Sequence, residues 1–205
     1  MSKVKRPNIN ELDKEEFSDL ESYRYVEFND CLFVDANYAI DFDGCRFNNV
    51  SFSNLVLENY VFSNSEFINC DFSNTTLSNG GLNTCLFNNS KLVGMHITDS
   101  SLNNVVFLES RCDLINIISS KLSNIEIDNC SMTSSNLYEL KLNNVFFTNV
   151  KLDNSSVFNT SLSGIDLSSC SINNINVRNQ DLVGALVNSE QAISIIKALG
   201  IKVVD

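Results

Sequence analysis

From Phe42 to Leu182 every fifth residue is apolar, 29 positions in a single phase that includes Phe47, Phe52, Leu57, Phe62, Phe67, Ile97, Cys112, Met132 and Val177. A spacing of five matches neither a helix, which repeats near 3.6, nor a simple strand, which repeats at 2. The residue two before each centre is also selective: it is small or apolar, as at Cys45, Val50, Cys70, Thr75, Gly80, Ser90, Ser120 and Thr160, with Tyr60 and Gln180 the largest departures. The other three positions are mostly polar. Each unit therefore has two inward and three outward residues, and it cannot bury its apolar side without stacking on copies of itself.

The residue two after each centre is Asn in 17 of the 29 units, unbroken from Asn49 to Asn79. Asn accepts turn conformations and bonds its own backbone, and stacked amides can bond one another, so the pattern predicts corners joined by an amide ladder. Twenty-residue spacing predicts four core columns. One holds Phe47, Phe67, Phe87, Phe107, Ile127, Phe147 and Leu167. Phe is concentrated towards the N-terminal half, where the core is expected to be wider or more tightly filled. Tyr23, Phe28, Phe33 and Tyr38 keep the period in another phase, and the step from Tyr38 to Phe42 is only four. A distorted first coil or bulge is expected near Ala39-Ile40.

Units such as Cys70-Asp71-Phe72-Ser73-Asn74, Ser120-Lys121-Leu122-Ser123-Asn124 and Thr160-Ser161-Leu162-Ser163-Gly164 resemble those of the pentapeptide-repeat family. The resemblance covers roughly residues 23–184. It implies an all-β fold: a right-handed quadrilateral β-solenoid of about eight coils with four units per coil. Where that family usually prefers Ala at the small position, this chain uses Cys, Ser and Val.

The ends differ from the repeat. Residues 1–22 are expected to form an N-terminal capping segment, with a short helix over 10–18 capped by Asn10. Residues 185–205 read as a C-terminal cap. Ser189 is placed to cap a helix starting at Glu190, Ala192, Ile195, Ile196 and Leu199 form its apolar stripe, Gly200 stops it, and a short strand follows over 201–204. Ile193, Ile196, Leu199, Ile201 and Val203 are candidate contacts with a second copy. This tail resembles the C-terminal cap of the Qnr/MfpA-like, fluoroquinolone-resistance branch of the family. That likeness implies a homodimer joined at its C-terminal ends and a protein partner, DNA gyrase or topoisomerase IV, bound through mimicry of duplex DNA.

Charge narrows the partner classes. The net charge is −11, and residues 1–43 carry eleven acids against five bases. Direct nucleic-acid binding needs a basic surface, so a protein partner is expected instead. The start of the chain has no apolar h-region, and no stretch approaches membrane-spanning length; a cytoplasmic protein without membrane contact is expected. The seven cysteines form no Cys-x-x-Cys pair and fall mostly at the small inward position, so buried thiols are expected and no metal site. With one His and no phosphate loop or nucleophile–base set, neither an enzyme nor a cofactor is expected.

Function is therefore sought on the outward columns. Glu66, Leu86, Val106, Glu126, Phe146 and Asp166 line one column, with Ile68, Leu108 and Asp128 alongside. Mixed acidic and apolar groups in one strip mark a candidate protein-contact face. The expected function is a rod-shaped protein-interaction module. The alternatives are a gyrase-directed DNA mimic and a purely structural solenoid.

Overall fold

A computed structural model describes residues 4–7, 13–14, 22–34, 39–198, 202 and 204. The repeat winds into a parallel β-solenoid of about eight turns. Each turn has four faces, because an inward centre recurs every five residues and paired strands are offset by twenty. The first face carries Asp41–Asp43 and Val61–Ser63, and the second carries Arg46–Asn48 and Glu66–Ile68. In the middle coils these two faces merge into eight-residue strands such as Ser101–Leu108 and Lys121–Asp128, giving an eleven-stranded sheet among the described residues. The third face is a row of isolated bridges through Ser51, Asp71, Lys91, Arg111, Ser131, Lys151 and Ser171. The fourth is a seven-stranded sheet containing Val56–Glu58 and Asn136–Tyr138.

The chain turns each corner with one residue in the left-handed region. Asn49, Asn54, Asn59, Asn64, Asn69, Asn74 and Asn79 all have φ between 47° and 61°. L-residues other than Asn and Asp adopt that region at a cost, which is why Asn dominates the position. The amides also bond from coil to coil: Asn89 Nδ2 donates to Asn69 Oδ1 at 2.7 Å and Asn144 to Asn124 at 2.8 Å.

Inside, the expected columns form. Phe67 stacks on Phe47 at 4.9 Å and beneath Phe87 at 4.5 Å, while Phe62 and Phe72 meet it edge-on at 5.3 and 5.2 Å. Parallel rings along the axis and perpendicular rings across it fill the N-terminal core, and Phe47 is wholly buried. Tyr60 enters the same core and meets Phe33 edge-on. The next coil accommodates it with Gly80, where a Cβ would lie 2.5 Å from the Tyr60 carbonyl oxygen.

The small inward position does more than save space. Its hydroxyl or thiol accepts an N–H from the previous coil: Ser90 N–H donates to Ser110 Oγ at 3.0 Å, Ser135 N–H to Ser155 Oγ at 3.0 Å and Leu140 N–H to Thr160 Oγ1 at 3.0 Å. The same hydroxyls donate inward, as Ser155 does to the Met132 carbonyl at 2.8 Å. Buried amides that would otherwise lack partners are thereby satisfied. Ala could not do this, and that explains the Ser, Thr and Cys usage.

The first coil is one residue short. Tyr23 pairs with Phe42 and Phe28 with Phe47, an offset of nineteen. The missing residue falls between Val34 and Phe42, consistent with the expected break near Ala39-Ile40; residues 35–38 lie outside the described residues. The helix expected over 10–18 is corrected at its centre, where Asp13–Lys14 is a strand paired with Val26-Glu27. An open parallel edge offers ladder bonds that a lone helical turn would leave unmade. The rest of that segment lies outside the described residues.

At the other end, α1 (Asn179–Leu182) and α2 (Ser189–Ala198) close the last coil. The cap of α2 is Asn188, not Ser189. Asn188 Oδ1 accepts the Gln191 N–H at 2.9 Å and Gln191 Oε1 accepts the Asn188 N–H at 2.8 Å, a reciprocal capping box. Gln191 Nε2 also donates to the Leu167 and Cys170 carbonyls at 2.8 and 2.7 Å, and Asp181 accepts the Asn159 N–H at 3.2 Å. The cap thus works by satisfying edge backbone groups as well as by apolar packing. Ala192 and Ile195 turn inward, whereas Ile196, expected on the inner stripe, is 37% exposed. The strand expected over 201–204 is absent at Lys202 and Val204; Ile201 and Val203 lie outside the described residues.

Candidate interaction face

The strand register brings most of the expected strip together. Glu66 pairs with Leu86, Leu86 with Val106, Val106 with Glu126, and Glu126 with Phe146, so these five form one column on the second face with neighbours ~4.8 Å apart. Ile68, Leu108 and Asp128 form the adjoining column, with Asn88 between the first two. Asp166 is not on this sheet. It sits in the last coil, exposed, bridged to Leu186 and accepting the Ser168 N–H at 2.9 Å.

The strip is not one continuous exposed patch. Phe146 is 41% exposed, Leu86, Leu108 and Ile68 are half-buried, and Val106 is completely buried. Val106 occupies an outward position, so the expectation of an exposed side chain there is corrected. Part of the N-terminal segment lies beside it: Arg6 reaches Glu126, the ladder partner of Val106, at 3.6 Å, and Val4 is 7% exposed without joining the axial core. Asp13–Lys14 of the N-terminal segment pairs with the first coil, while Arg6 of the same segment lies against the side of the rod. Sequence reading passed over Val4 and Arg6. The available signal was a basic, apolar-containing start, Lys3-Val4-Lys5-Arg6, on a chain whose second face is acidic.

The acids of the strip are largely answered. Arg46 Nε donates to Glu66 at 2.8 Å and its guanidinium also lies 4.0 Å from Glu27. Asp128 keeps one buried oxygen, Oδ1, without a hydrogen-bond partner. Other faces also expose apolar residues, Val56, Val61 and Leu114 among them, within otherwise polar repeat chemistry. On the third face Lys91 pairs with Asp71 at 3.1 Å, and Asp113 accepts from the Ser131 hydroxyl and the Thr133 amide and hydroxyl. Burial opposes ionisation of Asp71 and Asp113, but hydrogen bonds from Ser73 and Lys91, and from Ser131 and Thr133, outweigh it and hold both below the usual carboxyl range.

Most of the thiols are held protonated by burial, whereas the hydrogen bond with Cys112 lowers Cys130. Burial pushes Cys45 up to about 11 and Cys70 and Cys85 to about 12; Cys31, at the half-buried end of the series, is raised by burial and by Asp30. Among the described residues no three His, Cys, Asp or Glu side chains converge as metal ligands, and no helix is long and apolar enough to cross a membrane. A cleft of about 270 Å³ lies between the last coil and α2 and is lined by Ile175, Val177, Leu182, Ile195 and several Asn. Of the expected dimer contacts, Ile193 is 41% exposed and Ile196 lies beside it; Leu199, Ile201 and Val203 are outside the described residues.

The square coil, its left-handed corners and its inward small–apolar pairs define a class, the parallel β-solenoids built on five-residue units. Residues 40–79 match the family described as pentapeptide repeats (8 copies), and residues 60–130 match the pentapeptide repeat region. Residues 40–130 thus belong to the pentapeptide-repeat family, and the period continues unbroken to Leu182. No curated protein matches the chain in sequence. Among solved structures it is similar to a trypsin-treated variant of QnrB1, a plasmid-mediated fluoroquinolone resistance protein, at 17% identity over 95% of each chain with a TM-score of 0.39. It is also similar to HetL, a pentapeptide repeat protein involved in heterocyst differentiation regulation from the cyanobacterium Nostoc sp. strain PCC 7120, at 15% identity over 82% of this chain and 90% of that one, TM-score 0.48. A third is Rfr23 from the cyanobacterium Cyanothece 51142, at 10% identity over 82% and 88%, TM-score 0.31. At these identities and superpositions none of the three carries a functional argument.

Proposed function

We propose that the protein is a non-enzymatic, cytoplasmic interaction rod that binds a protein partner along its second face. The observation that carries this reading is the contrast between inside and outside. The inward positions repeat the same small and apolar classes in every coil, whereas the second face sets Leu86, Val106, Leu108 and Phe146 among acids in two adjoining columns. Half-buried apolar groups ringed by charge are the usual make-up of a contact surface.

The test is site-specific photo-crosslinking in the native cell. A photoreactive residue at Phe146 is expected to give one discrete protein adduct, and the same residue at Lys151 on the third face none. Equal labelling from both positions, or none from either, would rule out the second face.

A gyrase-directed DNA mimic needs a row of unanswered acids at phosphate-like spacing. Here Glu66 is paired with Arg46, Glu126 with Arg6, and apolar residues separate them. The mimic reading therefore ranks second. A supercoiling assay with and without a quinolone, unchanged at stoichiometric excess of the protein, is the expected result.

A further inference from the structure

The corner between the first and second faces recurs in every coil, which makes its exposure a like-for-like comparison. At Asn64 and Asn144 the corner residue is exposed. At Asn104 and Asn124 it is half-buried, and at Thr84 only 4% of the surface remains. Position 106 shows the same dip, fully buried between half-buried Leu86 and Glu126, and by Phe146 the column is exposed again. The corner between the second and third faces has no such dip: Asn69, Asn89, Glu109, Asn129 and Asn149 are all exposed. Apart from Gly44, which lies against Tyr25, burial at this corner runs over three coils. Arg6 lies on Glu126 in the last of these coils, and Val4, two residues before it, is buried outside the axial core.

We propose that this corner is a peptide-binding groove for an extended segment carrying an apolar residue followed by basic ones, and that Val4-Lys5-Arg6 occupies it in cis. The groove supplies the complement of each part. Val106 and Leu86 form an apolar floor for one side chain. Glu126 receives the cation, and two residues along the same strand Asp128 holds a buried, unpartnered oxygen able to accept one more N–H. An extended ligand with anchors at alternate positions is how strand surfaces recognise peptides. A partner with the same apolar–basic pattern would compete with the arm, and its apparent affinity would be set by how readily the arm lifts. This inference rests on the reading of the rod as an interaction module and gives it a location.

The test uses the full chain with the arm released by Val4→Asp and Arg6→Glu, titrated with a fluorescent peptide of residues 1–10 and read by anisotropy. The released protein is expected to bind saturably and at least about tenfold more tightly than the unmodified chain, in which the cis arm competes. Adding Glu126→Lys should weaken binding about tenfold, and a peptide carrying Arg6→Glu should restore it. No binding by the released protein, or no change on Glu126→Lys, overturns the proposal. A second measurement needs no released arm: trypsin cleavage after Lys5 is expected to accelerate severalfold in Glu126→Lys, and unchanged cleavage would contradict the cis contact. An unmodified chain of twice the monomer mass that becomes monomeric on release would place a second copy's arm in the groove and overturn the cis assignment. Failure here with a retained crosslink at Phe146 would remove the groove while leaving the interaction rod standing.

Discussion

The two halves of the rod share one backbone plan and fill it differently. From Tyr23 to Phe107 the axis is packed with rings stacked along three of the four columns, the Phe47 column running furthest, and perpendicular between columns. From Leu122 to Ile172 the same positions hold Leu, Ile, Val and Met, and the aromatic column ends at Phe147, which is 9% exposed. The comparison teaches that the coil register does not depend on the identity of the core residue. Backbone pairing and the inward hydroxyl bonds set the coil, and the side chains then fill whatever section it leaves.

The largest effect should come from breaking the aromatic half. Phe67→Ala removes a ring that touches five others and is expected to cost about 3–5 kcal/mol in urea unfolding. Ile127→Ala in the same column of the aliphatic half is expected to cost about 2–4 kcal/mol. Equal losses, or a greater loss at Ile127, would mean that the ring lattice adds nothing beyond volume. Next comes the polar ladder. Ser155→Ala strands the Ser135 N–H and should cost about 1–3 kcal/mol, where Ser155→Thr, the residue the ladder uses at Thr160, should cost less.

Acid should separate the ends as well. Asp181 lies below the usual carboxyl range because Arg178 donates to both its oxygens, at 2.8 and 3.1 Å, with the Asn159 amide adding to this. A depressed carboxyl takes up a proton less readily folded than unfolded, so its stabilisation is complete above about pH 4 and lost as pH falls through its folded value. Melting temperature is expected to hold from pH 7 to 5 and drop below about 4, and Asp181→Asn should shrink the drop. The smallest effect is a gain. Leu114 is held at φ 61° and is 53% exposed; Leu114→Asn should stabilise by about 1 kcal/mol, and a loss would show that Leu114 makes a contact of its own.

How legible this was in the sequence follows from which forces repeat. The core columns, the corners and the short first coil could be read because each recurs with a fixed spacing, and a single Phe47 in the wrong phase would have been visible. The Ser and Thr hydroxyl ladder was legible only as smallness, since the buried N–H that it serves belongs to a residue twenty positions away. Asn188 hid behind Ser189 because both are good caps, and the choice was made by Gln191 and the edge carbonyls of Leu167 and Cys170. The placement of Val4 and Arg6 was out of reach of any period. It is a single long-range contact by a segment outside the repeat.

Everything on the outside is placed by the twenty-residue register, and ring-to-ring proton contacts measured by NMR test that most directly. Phe47 is expected to contact Phe67, Phe67 to contact Phe87 and Phe87 to contact Phe107, twenty apart, while Tyr23 contacts Phe42 and Phe28 contacts Phe47, nineteen apart. Absence of the twenty-apart contacts from Phe47 to Phe107 would contradict the coil, and the groove and contact face with it.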